Sequence, residues 1–565
     1  MNKSLGSFYS PVNGKYTHGS YVEQPDAPFV HDAKAHNHEA LSGLIRRAPG
    51  GLQRLHWTVL DAYDSAYINR MIAAAPGYGV EGIQFSEDEV YWVNDSLTRY
   101  NTFAYTGRLC EKCHAHGLKA YFWTHEICDF FQEFTTGAQY GFYRQLVGGR
   151  LHLRSDSPFW DALHEKYDVF FRRLPGVDGL VLTLNESHVP VFRDGVVDSD
   201  LAPHERIARL ATEVKKACDA HGKELILRTF CYTPEEQLRM RRGIEGVPGR
   251  PTLMIKCQPF DWHIHLPDDP MIAAFAATHP TIVEYDLGHE FNGAGLIPFP
   301  DTHYLSARLA HARACRVVGA ATRIDRFRNH AEGTLNWSSV HTFARMALDP
   351  TMSPTQALGD YVRADYPGAR SDAVAAFAGD LYTIGASLFY LRRYWFCSHS
   401  NPPDFPKSFR RDNHRGPLAW TPEDPRAIED ANAMESPRPE HIEALITEQR
   451  TLAGKRDEWT RYWQTASDTD MALGDLVYLR AVCKRLTLYS DIVWRQQQLV
   501  LMVRHDAAAP AGGKRYAREI EEGCRFLESI ASMRRSELRV IGAEGNQHVP
   551  EILESFCIEA RKARF

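Results

Sequence analysis

No stretch of this 565-residue sequence approaches the ~20 consecutive apolar residues of a membrane span. An excess of basic charge is also missing. Lys and Arg number 65 against 71 Asp and Glu, a net charge of −6, which leaves no electrostatic footprint for nucleic acid. The eleven cysteines are scattered, which fits a reducing compartment better than a disulfide framework. The opening residues, MNKSLGSFYSPVNGKY, lack the apolar core of a secretory signal, so the expected location is the cytoplasm. There is no G-x-G-x-x-G or Walker motif to cradle a nucleotide phosphate, no internal repeat and no low-complexity tract.

What is present is an alternation. Eight short apolar runs start at Leu55, Val80, Leu118, Asp178, Glu224, Thr252, Thr281 and Arg316, and helix-like segments follow several of them. Between the fourth and fifth runs, Ile207, Leu210, Val214 and Cys218 stand at helical spacing, and Gly222 sits where a helix-terminating glycine belongs. Alternating β and α units predict a parallel sheet, and eight of them predict a closed (β/α)8 TIM barrel of the α/β class. A doubly wound open sheet is the alternative. After Asp349 the texture becomes helical, and Ser353-Pro354 reads as a helix start. The expected organisation is an irregular N-terminal arm or cap over 1–50, the barrel over 51–349 and a mainly α-helical C-terminal domain over 350–565. One irregular loop, Ser398–Pro425, is long enough to lean over a site.

In a barrel of this kind the chemistry sits just past the C-terminal ends of the strands. The run DGLVLTLNES ends in Asn185-Glu186, MIKCQPFDW places Asp261 past the sixth strand, and TIVEYDLGHEF places Glu290 past the seventh. Paired carboxylates cleave glycosidic bonds, and aromatic faces with cationic or amide side chains bind sugar rings. The same strand ends supply His125, Glu126, Arg228, Lys256, Trp262 and His289.

Over roughly Leu55 to Asp349 the chain resembles the α-glucuronidases of glycoside hydrolase family 67. The family's A-N-S-E-G motif is similar to Leu184-Asn185-Glu186-Ser187. Its W-R-A-F-V-Y resembles Leu227-Arg228-Thr229-Phe230-Cys231-Tyr232, and its I-K-N-G-P-I-D-F-Q resembles Ile255 to His263. Its Q-E-Y-T-G resembles His289-Glu290-Phe291-Asn292-Gly293, and D-x-N-W is matched in part by Leu335-Asn336-Trp337. A sixth stretch, from Ala347 to Gln356, resembles A-W-x-P-x-L-S-A-E-E. The resemblance implies Glu186 as general acid, with Asp261 and Glu290 activating water in an inverting reaction. The expected substrate contacts are Asn185, Arg228, Lys256, Trp262, His125, Glu126, His289 and Trp337. The chain departs from the family where Leu182 replaces a Lys and Ser187 replaces a Gly, so the reaction class is better supported than glucuronic acid specificity.

Other readings stay open at this point. A retaining glycosidase would use Glu290 as nucleophile on a different sugar. A non-catalytic carbohydrate-binding barrel would lock one of the carboxylates in a salt bridge. A metal-dependent barrel enzyme would draw on His125, Glu126, His263, His265 and His289. No cofactor is expected. The expected partner is an oligosaccharide, with no nucleic acid and no membrane, and the helical domain is the candidate homodimer surface. His31, His36 and His38 read as solvated or hydrogen-bonded surface residues. Cys110-Glu111-Lys112-Cys113-His114 fits the haem-attachment pattern but reads as a coincidence inside a barrel helix, with one thiol buried and one exposed.

Overall fold

The computed structural model describes residues 34–60, 65–85, 102–125, 151–186, 191–194, 197–294, 296–326, 329–397, 400–403, 416–509, 514–534, 538 and 549–563. Eight parallel strands close into one barrel: β1 (Arg54–Val59), β2 (Gly82–Phe85), β3 (Lys119–His125), β4 (Gly179–Thr183), β5 (Glu224–Arg228), β6 (Thr252–Lys256), β7 (Thr281–Asp286) and β8 (Gly319–Arg323). Each pairs with the next in sequence, and β8 closes on β1 with Thr58 opposite Arg323. The fold is therefore the (β/α)8 barrel, followed by a C-terminal helical region, and not the open doubly wound sheet. The strands are buried on both faces, which is why they read as near-continuous apolar runs.

The barrel interior is layered. Tyr121, Trp123, Val181, Ile226, Met254, Ile282 and Ala321 form its apolar plug. At the N-terminal end, Arg54 donates to Glu81 and Glu224, and the Tyr121 hydroxyl donates to Glu224. At the C-terminal end the inward positions are Arg228, Lys256, Glu284 and Arg323, with Lys256 opposite Glu284 and Arg323 opposite Asp286. Charge thus closes both ends of an apolar core, and the C-terminal set forms the floor of the mouth.

The helix Pro203–Ala220 buries Ile207, Leu210, Val214 and Cys218 against the barrel, and Gly222 at φ +65 turns the chain into β5. Ser353 caps the helix Pro354–Asp365 by accepting the Gln356 N–H at 3.2 Å. The 36-residue helix Leu473–Ala508 buries Leu476, Leu479, Cys483, Leu486, Ile492 and Val493. Among the described residues no helix is long and apolar enough to cross a membrane. On the helix Thr102–Ala115 both Cys110 and Cys113 are buried, contrary to the expectation of one exposed thiol, and His114 bonds Asp178 at 2.9 Å.

The segment before β1 is anchored rather than solvated. Lys34 donates to Asp475 and to the Asp365 carbonyl, both at 2.8 Å. His36 lies fully buried 2.8 Å from Asp365, and the Asn37 N–H donates to the same carboxylate. The His36 imidazole is thus hydrogen-bonded, as expected, but buried rather than on the surface, and His31 lies outside the described residues. Burial raises the Asp365 carboxyl, but the charge and hydrogen bond of His36, with Lys34 and the Asn37 N–H, outweigh it and bring it from 3.8 down to about 2. The folded pKa is depressed, so this stabilisation is present above the ordinary value and is lost as the pH falls through about 2; by linkage it is on the order of 2 kcal/mol. Asp365→Asn is expected to flatten that part of the acid limb when the thermal midpoint is followed from pH 5 to pH 2. An acid limb identical to wild type would show that the anchor contributes nothing.

Candidate active site

The three strand-end carboxylates share a backbone feature. Asn185 (φ +75) precedes Glu186, Phe260 (φ +69) precedes Asp261, and His289 (φ +57) precedes Glu290. Left-handed conformations at non-glycine residues are uncommon and unfavourable, most of all for a bulky side chain, and they persist only where the surroundings over-determine them. The chain thus makes the same sharp turn after β4, β6 and β7, and each turn delivers a carboxylate. The surroundings that hold the turns are visible. The Asn185 amide donates to the Phe230 carbonyl and to Glu236, each at 3.1 Å. Asp286 accepts the N–H groups of His289 at 3.1 Å and Glu290 at 2.8 Å.

Each carboxylate meets a cation rising from the barrel floor. Glu186 pairs with Arg228, whose Nε also donates to the buried Glu284 at 2.7 Å. Lys256 donates to Asp261 at 2.7 Å, and Arg323 to Glu290 at 2.8 Å. Burial works against the charge on Arg228, but Glu186 and Glu284 more than offset it and raise its pKa. Shared rings tie the pairs into one mouth. Arg228 lies 5.9 Å and Lys256 4.1 Å from the Phe230 ring, Lys256 4.6 Å and Arg323 5.5 Å from the Trp262 ring, and Arg228 also 4.6 Å from Trp123. Tyr232 lies within the field of two of the carboxylates. Its hydroxyl is raised by burial and then by the charges of both Glu186 and Asp261.

Behind Glu290 lies a second acidic layer. Burial, reinforced by the Glu290 charge and opposed by Arg323, pushes Asp286 up to about 7. Burial likewise raises Asp301, which stands 3.7 Å from the Nε2 of His289. The same burial holds His289 down to about 3, so its imidazole is neutral. A neutral carboxyl beside a neutral imidazole is the low-energy state of such a pair away from water.

The expected substrate contacts divide. Arg228, Lys256 and Trp262 stand at the mouth. Asn185 holds the turn before Glu186 with its amide, and His289, 1% exposed, stands 3.7 Å from Asp301. His125 ends β3, opposite Thr183, and Glu126 lies outside the described residues. Trp337 is placed elsewhere than expected. Its ring is fully buried between the barrel wall and the helices, 5.7 Å from Trp57, and its Nε1 donates to the Tyr78 hydroxyl. It opens the helix Trp337–Leu348, which sets the ring against the barrel wall beside Trp57 and Tyr78. His263 and His265 pack on Tyr390, each at 4.8 Å, and burial lowers both, His265 to about 4. Among the described residues no group of three or more His, Cys, Asp or Glu is placed to hold a metal.

Sequence reasoning missed Arg323, Glu284 and Asp286. Two-residue alternation along β7 and β8 was the available signal, since it puts Glu284 and Arg323 on the inward face with Ile282 and Ala321. Sequence reasoning named neither Tyr390 nor Ser400; Ser400 belongs to the Ser398–Pro425 loop expected to lean over a site, and of that loop it is the residue seen to touch the Glu290 turn, while 398–399 and 404–415 lie outside the described residues.

No family model matches the sequence, and no curated protein matches it. Solved structures do. A GH138 enzyme targeting pectin rhamnogalacturonan II superposes with a TM-score of 0.57 at 11% identity, over 91% of this chain and 67% of that one. An O-GlcNAc hydrolase from Thermobaculum terrenum gives 0.40 at 10% identity, over 92% and 96% of the two chains. A family 5 glycoside hydrolase from Prevotella bryantii gives 0.35 at 9% identity, over 56% and 99%. At 11% identity the first likeness is one of fold: the chain has a barrel of the kind found in glycoside hydrolases.

Proposed function

We propose that this protein is a glycoside hydrolase that removes a terminal acidic sugar, a uronic acid, from an oligosaccharide. Glu186 is the proton donor, and Asp261 and Glu290 activate water in an inverting, α-glucuronidase-like reaction. The observation that carries the proposal is the repeated left-handed turn, which brings Glu186, Asp261 and Glu290 to one mouth over a cationic floor.

The chemistry follows from the pairs. A proton donor must be neutral when it acts, and an arginine partner favours the anion. When Glu186 takes up the proton it will deliver, Arg228 loses one anionic partner. A carboxylate on the sugar replaces it, with the bidentate fit that suits a guanidinium. An acidic substrate therefore completes the charge pattern that protonation of Glu186 opens. Asp261 and Glu290, each held by a charge-assisted contact from Lys256 or Arg323, are the pair that accepts a proton from water in this reading. Trp262 and Phe230 supply apolar faces beside the cations.

One observation favours a second reading. All three carboxylates stand in ion pairs, the arrangement of a barrel that binds carbohydrate without cleaving it. Purely structural ion pairs would not need a strained turn before each carboxylate, so catalysis is the better account. Within catalysis, inversion is the expected outcome: the first-formed product, followed by NMR before mutarotation, should have the opposite anomeric configuration to the substrate. Net retention would instead make Glu290 the nucleophile, with Glu186 at the ~5–5.5 Å separation of retaining enzymes. Absence of cleavage across uronic-acid-capped and neutral oligosaccharides would favour the binding protein.

A further inference from the structure

The turn that carries Glu290 is held at four consecutive residues from the helical side of the molecule. Ser400 Oγ donates to the Glu290 carbonyl at 2.8 Å and accepts the Gly293 N–H at 2.8 Å. Between them, the Phe291 ring stacks on Trp395 at 4.5 Å with an interplanar angle of 11°. The Tyr390 hydroxyl donates to Asn292 Oδ1 at 2.8 Å. The turn has no slack of its own: Gly293 sits at φ +99, and a Cβ there would lie 2.0 Å from the Ile297 carbonyl oxygen. Ser400 is buried and itself left-handed, at φ +61, and its carbonyl accepts from the Tyr489 hydroxyl on the helix Leu473–Ala508. Tyr390 reaches the neighbouring turn as well, accepting the Ile264 N–H at 3.2 Å.

We infer that Ser400 is a positioning residue for Glu290, and that the helical region completes the active site through it. One hydroxyl acting as donor and acceptor fixes both ends of the turn, so the Glu290 carboxylate is aimed by a residue 110 positions away. Loss of the hydroxyl leaves a buried carbonyl and a buried N–H without that partner, and the turn relaxes. Small displacements of a catalytic group reduce turnover more than they reduce binding. The inference rests on the reading of Glu290 as a catalytic carboxylate.

Two measurements on the full chain test it. Ser400→Ala is expected to lower kcat by about tenfold with KM within about twofold, the effect of a modest misalignment. Ser400→Gly, which takes φ +61 without strain, should lose as much, because the hydroxyl and not the backbone is responsible. Tyr489→Phe, which releases the Ser400 carbonyl and a weak contact to Cys397 Sγ but leaves the Ser400 hydroxyl in place, should show a smaller loss in the same direction. The second measurement needs no substrate: amide exchange in the peptide spanning 286–297 should be at least about tenfold faster in Ser400→Ala than in wild type, with exchange elsewhere in the barrel unchanged. Wild-type exchange in that peptide would overturn the clamp whether or not the protein cleaves a glycoside. Faster exchange with an unchanged kcat in an active enzyme would overturn the positioning role. A wild-type protein that cleaves no glycoside defeats the glycosidase reading, and with it the catalytic part of this one.

Discussion

Glu186→Gln should leave the barrel folded and lower turnover on an oligosaccharide by about 10²–10⁴-fold, the usual contribution of a positioned general acid. The substitution is nearly isosteric, and the amide oxygen can still accept from Arg228, so the mouth keeps its shape. What disappears is the transferable proton. The loss should therefore depend on the leaving group. An aryl glycoside with an acidic phenol needs little protonation and should be far less affected. That contrast separates a proton donor from a residue that merely holds Arg228, for which both substrates would suffer alike. Full turnover of the natural oligosaccharide would remove Glu186 from the chemistry.

The second large effect concerns Arg228, and the structure changes what its removal should do. Read from the sequence, Arg228 is only a partner for a substrate carboxylate, and its loss should weaken binding of an acid more than of the matching neutral sugar. In the fold it is 1% exposed and bonded to Glu186 and to Glu284, a fully buried carboxylate whose second oxygen has no hydrogen-bond partner among the described residues. Arg228→Ala leaves the Glu284 charge in the barrel without its counter-ion. A loss of stability of about 3–5 kcal/mol is expected, typical of a buried pair broken on one side. Pairing Arg228→Met with Glu284→Gln removes both charges and should recover most of it. A single variant as resistant to urea as wild type would show that the pair is not holding the barrel. The specificity question then belongs to Arg228→Lys, which keeps the charge but loses the planar fork. On that variant the acidic sugar should lose more kcat/KM than the neutral one, and equal losses would end the uronate assignment.

Much of this site was legible because barrel chemistry is tied to a local pattern. A buried parallel strand announces itself as an apolar run, and the residue just past its end is on the catalytic face whatever the rest of the chain does. Glu186, Asp261 and Glu290 were accessible in that way, as were Arg228 and Lys256. Asn185 and His289 were singled out on the same grounds, and in the fold both are buried beside the turns, against Phe230 and Asp301. A polar residue next to a carboxylate looks the same in sequence whether it faces substrate or props the turn. Trp337 was drawn in by a short motif. Its ring direction is set by the start of a helix and by the packing of Trp57 and Tyr78, neither of which a motif encodes.

The sequence by itself determined the barrel, its helical continuation and the strand ends that bear carboxylates, because these follow from periodicities of two and 3.6 residues and from turn chemistry within a few positions. Lys256 and Asp261 stand only five residues apart, but the tertiary structure alone decided the other carboxylate–cation pairs. Arg323 meets Glu290 across 33 residues and Arg228 meets Glu284 across 56, through strand register in a closed ring. It alone decided that Ser400 and Tyr390, from outside the barrel, hold the turn beneath Glu290. Such contacts depend on where two distant segments meet in space, and no local pattern in either segment records the other.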